Sequence, residues 1–336
     1  MPIRRAAGAA PWVLALAVPQ PVPAQDINFS FYASARIQAE AVRPDNRSAL
    51  GAYEGFRDAY SRIGFNADYP LPNGMALFGQ LELPLDLANQ AVQDPWDQDE
   101  SVRIARIGIG GDFGRFSVGQ MWMPFYNAIA YPVDRFSSYY SGFATYTSFR
   151  LSDTIAFESP TFNGLSFSGA WSRRDGAPRA SGALDDRLQL TASYRAGATI
   201  FSVGVDDLGG EADWQIFGAS LMHSIGPLDL GAKVERHNSR ISDAFGADGD
   251  TAVNVYAGYT AGRNTFKLML ANVERFGEDI IHLGMDHWVN YRLMLFAEYY
   301  YEEETAAITA RRAGRETFID EAGGGQVFLT GMHFSF

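Results

Sequence analysis

The chain has 336 residues, no cysteine and a formal net charge of −12. That balance excludes disulfide frameworks and thiolate metal sites and argues against a nucleic-acid partner. Glycine (34), Phe (24), Tyr (16) and Trp (6) are abundant while no internal run of about 18 apolar residues occurs, which excludes a bundle of membrane-spanning helices.

The first element in chain order is an export signal. Met1 to Arg5 carries two arginines, Ala6 to Val18 is mostly apolar, and Val22-Pro23-Ala24 closes the segment. This pattern reads as a secretory signal peptide over residues 1–24, with the mature domain at 25–336. The apolar stretch falls short of the ~20 residues of a spanning helix. Removing Arg4 and Arg5 takes the formal charge to −14.

From Asp26 to Glu40 the chain then alternates. Ile27, Phe29, Phe31, Ala33, Ala35, Ile37 and Ala39 share one face of a strand, and Asn28, Ser30, Tyr32, Ser34, Arg36, Gln38 and Glu40 the other. Strands in soluble sheets usually run about 5–6 residues, whereas a tilted strand crossing lipid needs ~9–11. The expected element is the wall of a transmembrane antiparallel β-barrel, apolar outside and wet inside. The same alternation predicts strands at 59–69, 75–83, 102–110, 115–120, 150–159, 165–172, 187–195, 199–206, 212–223, 228–236, 251–259, 265–274, 279–287, 292–300 and 325–336, giving sixteen in all.

Short links carry turn residues, among them Asn163-Gly164 and Gly226-Pro227, while 41–58, 84–100, 121–149, 173–186, 237–250 and 301–324 are long. Tight turns alternating with long loops are the topology of an outer-membrane barrel with both chain ends on the periplasmic side. The last strand must close onto the first, because an edge exposed to lipid leaves backbone groups unpaired at several kcal/mol each. It alternates up to Phe334 and the terminal Phe336. Tyr69, Tyr194, Tyr259, Trp288 and Tyr299 fall near strand ends, as an aromatic belt would.

Tyr60-Ser61-Arg62-Ile63-Gly64-Phe65, the run from Val102 through Gly114 to Gln120, and the carboxy-terminal aromatics resemble the general diffusion porins of Gram-negative outer membranes. Val118-Gly119-Gln120 departs from the Gly-Arg-Gln often found there. The resemblance implies a sixteen-stranded barrel, usually a homotrimer, whose third loop folds inward to narrow a pore. Residues 121–149, aromatic and nearly uncharged, are the candidate constriction loop. It further implies an arginine ladder facing carboxylates on that loop. Arg62, Arg103 and Arg150 match the ladder, and Arg36 and Arg106 join them by strand parity. Arg103 has the parity of the outward Ala105 and Ile107, so it needs a bulge or a loop-end position. Asp134, the only carboxylate between Gly114 and Arg150, is the default acidic partner. Phe334 and Phe336 match the signal read by the barrel-assembly machinery. The implied partners are small hydrophilic solutes and ions, with lipid and lipopolysaccharide outside; no cofactor is implied.

Two other readings compete. A barrel enzyme needs a nucleophile–base–orienter set, but the five histidines are scattered and no Gly-x-Ser-x-Gly occurs. No enzyme is expected. Alternating His282, Gly284 and Asp286 suggest a lumen face more than a metal pair. A substrate-specific channel for sugars or another nutrient stays open through Tyr126, Tyr131, Tyr139, Tyr140 and Tyr146; phosphate has little support with Lys233 and Lys267 the only lysines.

Overall fold

The computed structural model describes residues 27–173, 186–308, 310–312, 315–317 and 322–336. The expected signal peptide, its cleavage point and Asp26 lie outside the described residues, as do parts of the expected links 173–186 and 301–324.

The strands are β1 (Asn28–Pro44), β2 (Tyr53–Asp58), β3 (Ser61–Pro70), β4 (Ala76–Leu85), β5 (Ile104–Gly111), β6 (Gly114–Trp122), β7 (Arg150–Glu158) and β8 (Leu165–Ser172). They continue as β9 (Arg187–Ala196), β10 (Thr199–Gly209), β11 (Trp214–Ile225), β12 (Leu228–Asn238), β13 (Thr251–Ala261), β14 (Asn264–Val273), β15 (Glu278–Trp288) and β16 (Leu293–Glu302). A small hairpin of β17 (Ala310–Arg312) and β18 (Arg315–Thr317) precedes β19 (Gly325–Ser335). Neighbours pair antiparallel in chain order, and β19 pairs with β1 from Ser34↔Ser335 to Pro44↔Gly325. Because β2 and β3 both pair with β1, end to end, they form one stave, and the wall is a closed sixteen-stranded barrel.

The link expected at 41–58 is a correction. β1 runs on to Pro44, and β2 occupies Tyr53–Asp58. Glu54, Arg57 and Asp58 give this stretch the polarity of a loop, yet Arg57 pairs with Glu40 of β1 at 2.7 Å in a buried contact. The stave breaks at Ala59-Tyr60, where Tyr60 has φ 67°. There the Ser61 hydroxyl accepts from the Arg36 N–H and donates to the Arg36 carbonyl, replacing ladder bonds across the break. Such a break re-aims a side chain: the Tyr60 hydroxyl donates to the Tyr139 carbonyl at 3.0 Å, and the two rings stack 5.8 Å apart.

Face assignment follows the alternation. Leu188, Leu190, Phe201, Val203, Phe217 and Leu221 are exposed on the outside, while Gln189, Ser202, Asp206 and Ser220 between them are buried on the inner face. Apolar groups outside suit hydrocarbon, and polar groups inside find partners across the lumen. At the expected Asn163-Gly164 turn both residues have positive φ, 49° and 90°, the geometry a tight hairpin requires. Tyr194, Tyr259 and Trp288 are exposed near the ends of β9, β13 and β15, where a belt would sit.

Candidate functional site

Arg62 lies on β3, Arg103 immediately before β5, and Arg150 opens β7. Arg103 is therefore free of the strand parity that would have pointed it outward. It is 2% exposed, donating from Nε to Glu82 Oε1 at 2.9 Å and from Nη1 to Asp94 Oδ2 at 2.6 Å. Arg150 donates to the same Asp94 oxygen at 3.1 Å and, from Nε, to Glu100 Oε1 at 3.1 Å. The Arg62 Nε stands farther off, 3.6 Å from Glu82 Oε2, with its side chain a quarter exposed. Trp122 lies under two of these cations, with the Arg150 guanidinium 4.8 Å and that of Arg103 5.7 Å from its ring, close enough for cation–π attraction. Burial pushes the Glu100 carboxyl up against the opposing pull of Arg150.

The carboxylates are placed by local turns in residues 86–102. Asp86 and Ala91 exchange backbone hydrogen bonds of 2.9 and 3.1 Å. Asp94 then accepts from the N–H groups of Trp96 and Asp97 through Oδ1, leaving Oδ2 for the two arginines. A buried cation–carboxylate pair withstands desolvation only when its remaining donors and lone pairs are filled, and Asp94 meets that condition.

Asp134, expected as the acidic partner of these arginines, is replaced in that role by Glu82, Asp94 and Glu100. Its own Oδ2 accepts from the Gly142 N–H, closing a loop within residues 121–149, and it is buried. Burial pushes its carboxyl up. Glu82 has lumen parity in the sequence, but Asp94 and Glu100 read there as outer-loop acids; their reach to Arg150, some fifty residues on, leaves no periodic trace.

Arg36 and Arg106 are arranged differently. The Arg36 Nε donates to Ser34 Oγ at 2.8 Å, and that hydroxyl also bonds His333 Nε2 at 2.8 Å. The Arg106 Nε donates to Gln80 Oε1 at 3.1 Å. Neither guanidinium has a carboxylate within ion-pair distance among the described residues.

Residues 121–149 make a second set of contacts that spacing could not reveal. The Phe125 N–H donates to Gln189 Oε1, the Ser137 N–H to Glu298 Oε1, and the Tyr139 N–H to Gln38 Oε1, all at 2.8–3.0 Å. Glu235 accepts from the Thr145 hydroxyl at 2.6 Å and the Tyr146 N–H at 2.8 Å, and Asp206 from the Thr147 hydroxyl at 2.7 Å. Every one of these wall partners is on the polar inner face. Glycines on that face remove obstacles: a Cβ at Gly218 would stand 2.5 Å from Phe125 and 2.8 Å from Ile129, and one at Gly231 3.0 Å from Val133. Tyr126, Tyr139, Tyr140 and Tyr146 are spent in this packing, and only Tyr131 of the five loop tyrosines is exposed. His282 and Asp286 likewise have protein partners, Glu298 at 2.9 Å and Lys267 at 2.9 Å.

At the chain's end, Phe336 and Ala33 exchange backbone hydrogen bonds of 2.8 and 3.1 Å. Phe334 stands opposite Ala35, its ring 5.5 Å from that of Phe336.

A closed barrel with an apolar outer face and a charged inner face is the setting in which sequence comparison decides. The model of the Gram-negative porin family matches residues 9–307. The chain belongs to the Gram-negative porin family. Among solved structures this porin is similar to an anion-selective porin from Comamonas acidovorans, at TM-score 0.70 and 15% identity, covering 93% of this chain and 100% of that one. It is also similar to Salmonella typhi OmpF in complex with daunomycin, at TM-score 0.68 and 15% identity over 92% and 97% of the two chains. OmpT of Vibrio cholerae matches at TM-score 0.64 and 16% identity over 94% and 99%. At such identities the likeness shows the architecture. No curated protein sequence matches the chain. Family and fold point to an outer-membrane channel rather than an enzyme.

Proposed function

We propose that this porin passes small hydrophilic solutes and ions by passive diffusion, through an aperture bounded by residues 121–149 on one side and by Arg36, Arg62, Arg103, Arg106 and Arg150 on the other. The observation that carries the reading is the run of hydrogen bonds from 121–149 to the inner face of β1, β9, β10, β12 and β16, which leaves Arg36, Arg62 and Arg106 without a hydrogen bond to that segment, while Trp122 at its start lies under Arg103 and Arg150. In this reading the third loop lies in the lumen and narrows it, and Asp134 holds the loop's shape. Guanidinium charge beside a narrow aqueous gap attracts anions and disfavours apolar solutes.

The same reading includes a homotrimer in the outer membrane, contacts with lipid and lipopolysaccharide on the apolar face, export by cleavage after Ala24, and recognition of Phe334 and Phe336 by the assembly machinery. Burial of four of the five loop tyrosines argues against a sugar slide and favours general diffusion over a sugar-specific channel.

Planar-bilayer recording with liposome swelling tests the proposal. Solute entry is expected to fall with size rather than follow chemical identity. Arg62→Ala is expected to shift the reversal potential toward cations and widen the path, the shift shrinking at 1 M salt, where screening acts over ~3 Å. A folded Arg62→Ala channel with wild-type selectivity and solute flux would place the aperture elsewhere.

A further inference from the structure

We infer that residues 86–102 act as a counter-ion built into the channel, with Asp94 and Glu100 cancelling Arg103 and Arg150 so that the open positive charge belongs to Arg36, Arg62 and Arg106. The inference rests on the aperture proposed above and makes this second long loop, rather than the third, the element that sets charge selectivity.

The arginines fall into two groups by what occupies them. Arg103 and Arg150 are almost dry, at 2% and 9% side-chain exposure, and Asp94 bridges both while Glu100 adds a second partner to Arg150. Those guanidinium faces are filled by carboxylates at contact distance, so a passing anion would have to displace a ligand that cannot diffuse away. The loop that supplies them is fixed on both sides. Gln120 Nε2 donates to Glu100 Oε1 at 2.9 Å and to the Val102 carbonyl at 2.5 Å. Trp96 meets Phe143 edge-on at 4.9 Å and Tyr139 at 6.5 Å, tying residues 86–102 to residues 121–149.

Arg36, Arg62 and Arg106 are half-buried and spend their Nε groups on Ser34, a long contact to Glu82, and Gln80. Arg36 stands opposite His333, and both bond the Ser34 hydroxyl, while Ser34 stands opposite Arg62 in the register. Small anions, inorganic or carboxylate, are the solutes this side of the aperture attracts. Asp94 and Glu100 fix how far that attraction extends along the wall.

The test is the reversal potential of the full mature protein in a KCl gradient, each variant first checked for heat-modifiable barrel mobility. Asp94→Asn with Glu100→Gln is expected to raise chloride over potassium permeability by about twofold or more at low salt, with the gain lost near 1 M as screening shortens. Arg103→Gln with Arg150→Gln is expected to move selectivity the opposite way. Combining all four substitutions is expected to return it near wild type, a cancellation that a merely structural role would not produce. Should the first pair fail to fold, Glu100→Gln alone gives the same direction at smaller size. A folded Asp94→Asn/Glu100→Gln channel with wild-type selectivity, in the presence of a shift for Arg62→Ala, overturns the inference and leaves the aperture standing. No shift in either overturns both.

Discussion

The inner faces of β9–β16 and of β3–β7 are both rich in charge, yet they hold it in different ways. On the first arc the buried cations have carboxylates beside them: Arg187 with Asp206, Lys233 with Glu235, and Lys267 with Asp286 and Glu298. Those carboxylates keep lone pairs to spare, and hydroxyl and N–H donors of residues 121–149 fill them. Glycines open room for Phe125, Ile129, Val133 and Phe136. On the second arc Arg62 and Arg106 stay partly wet, Glu82 of β4 serves Arg103 and, at longer range, Arg62, and the other carboxylates of Arg103 and Arg150 come from residues 86–102. The same side-chain types thus serve as a docking surface where the pair is buried and meets residues 121–149, and stay partly solvated at Arg62 and Arg106.

The largest test of this contrast removes a docking carboxylate. Glu235→Ala leaves Lys233 and the Tyr146 N–H buried without their partner, and breaking such a pair costs about 3–5 kcal/mol. Urea unfolding in detergent should show that loss, with faster proteolysis within residues 121–149. Gly218→Val comes next. Its added carbons enter space held by Phe125 and Ile129, and overpacking of this kind costs about 1–3 kcal/mol. The barrel should still close, because Gly218 keeps its backbone partners Gly204 and Glu235, while single-channel conductance changes. Tyr60→Phe should have the smallest effect. It removes one hydrogen bond to the Tyr139 carbonyl, worth about 0.5–1.5 kcal/mol, and retains the ring stack. A midpoint shift for Tyr60→Phe as large as that for Glu235→Ala would mean that the docking arc does not dominate the loop's hold.

Much of the wall was legible because a period of two is a local property: Leu188 to Tyr194 declares its two faces without reference to any other strand. The stretch from Tyr53 to Asp58 was not, since Arg57 and Asp58 are polar for reasons supplied by Glu40, Ser61 and Leu87, which lie elsewhere in the chain. The arginines could be grouped from parity and family likeness. Their true carboxylates could not, because Asp94 and Glu100 are placed by irregular turns that carry no period. The glycines at 204, 218, 231 and 284 could be assigned to the inner face from parity, but their purpose depends on which apolar side chains arrive from residues 121–149.

The pairing of β1 has a kinetic consequence. One strand near the start of the chain pairs with β2 and β3 on one edge and with β19 on the other, so one seam is local and its opposite joins the two ends of the sequence. Hairpins such as β3–β4 form early because little chain entropy is lost in bringing them together, whereas the β1–β19 seam carries the largest loop-closure term in the molecule. Loop-closure entropy therefore favours a sheet that grows hairpin by hairpin and closes into a cylinder last. A chain lacking its final strand would hold most of its hydrogen bonds and still lack an inside.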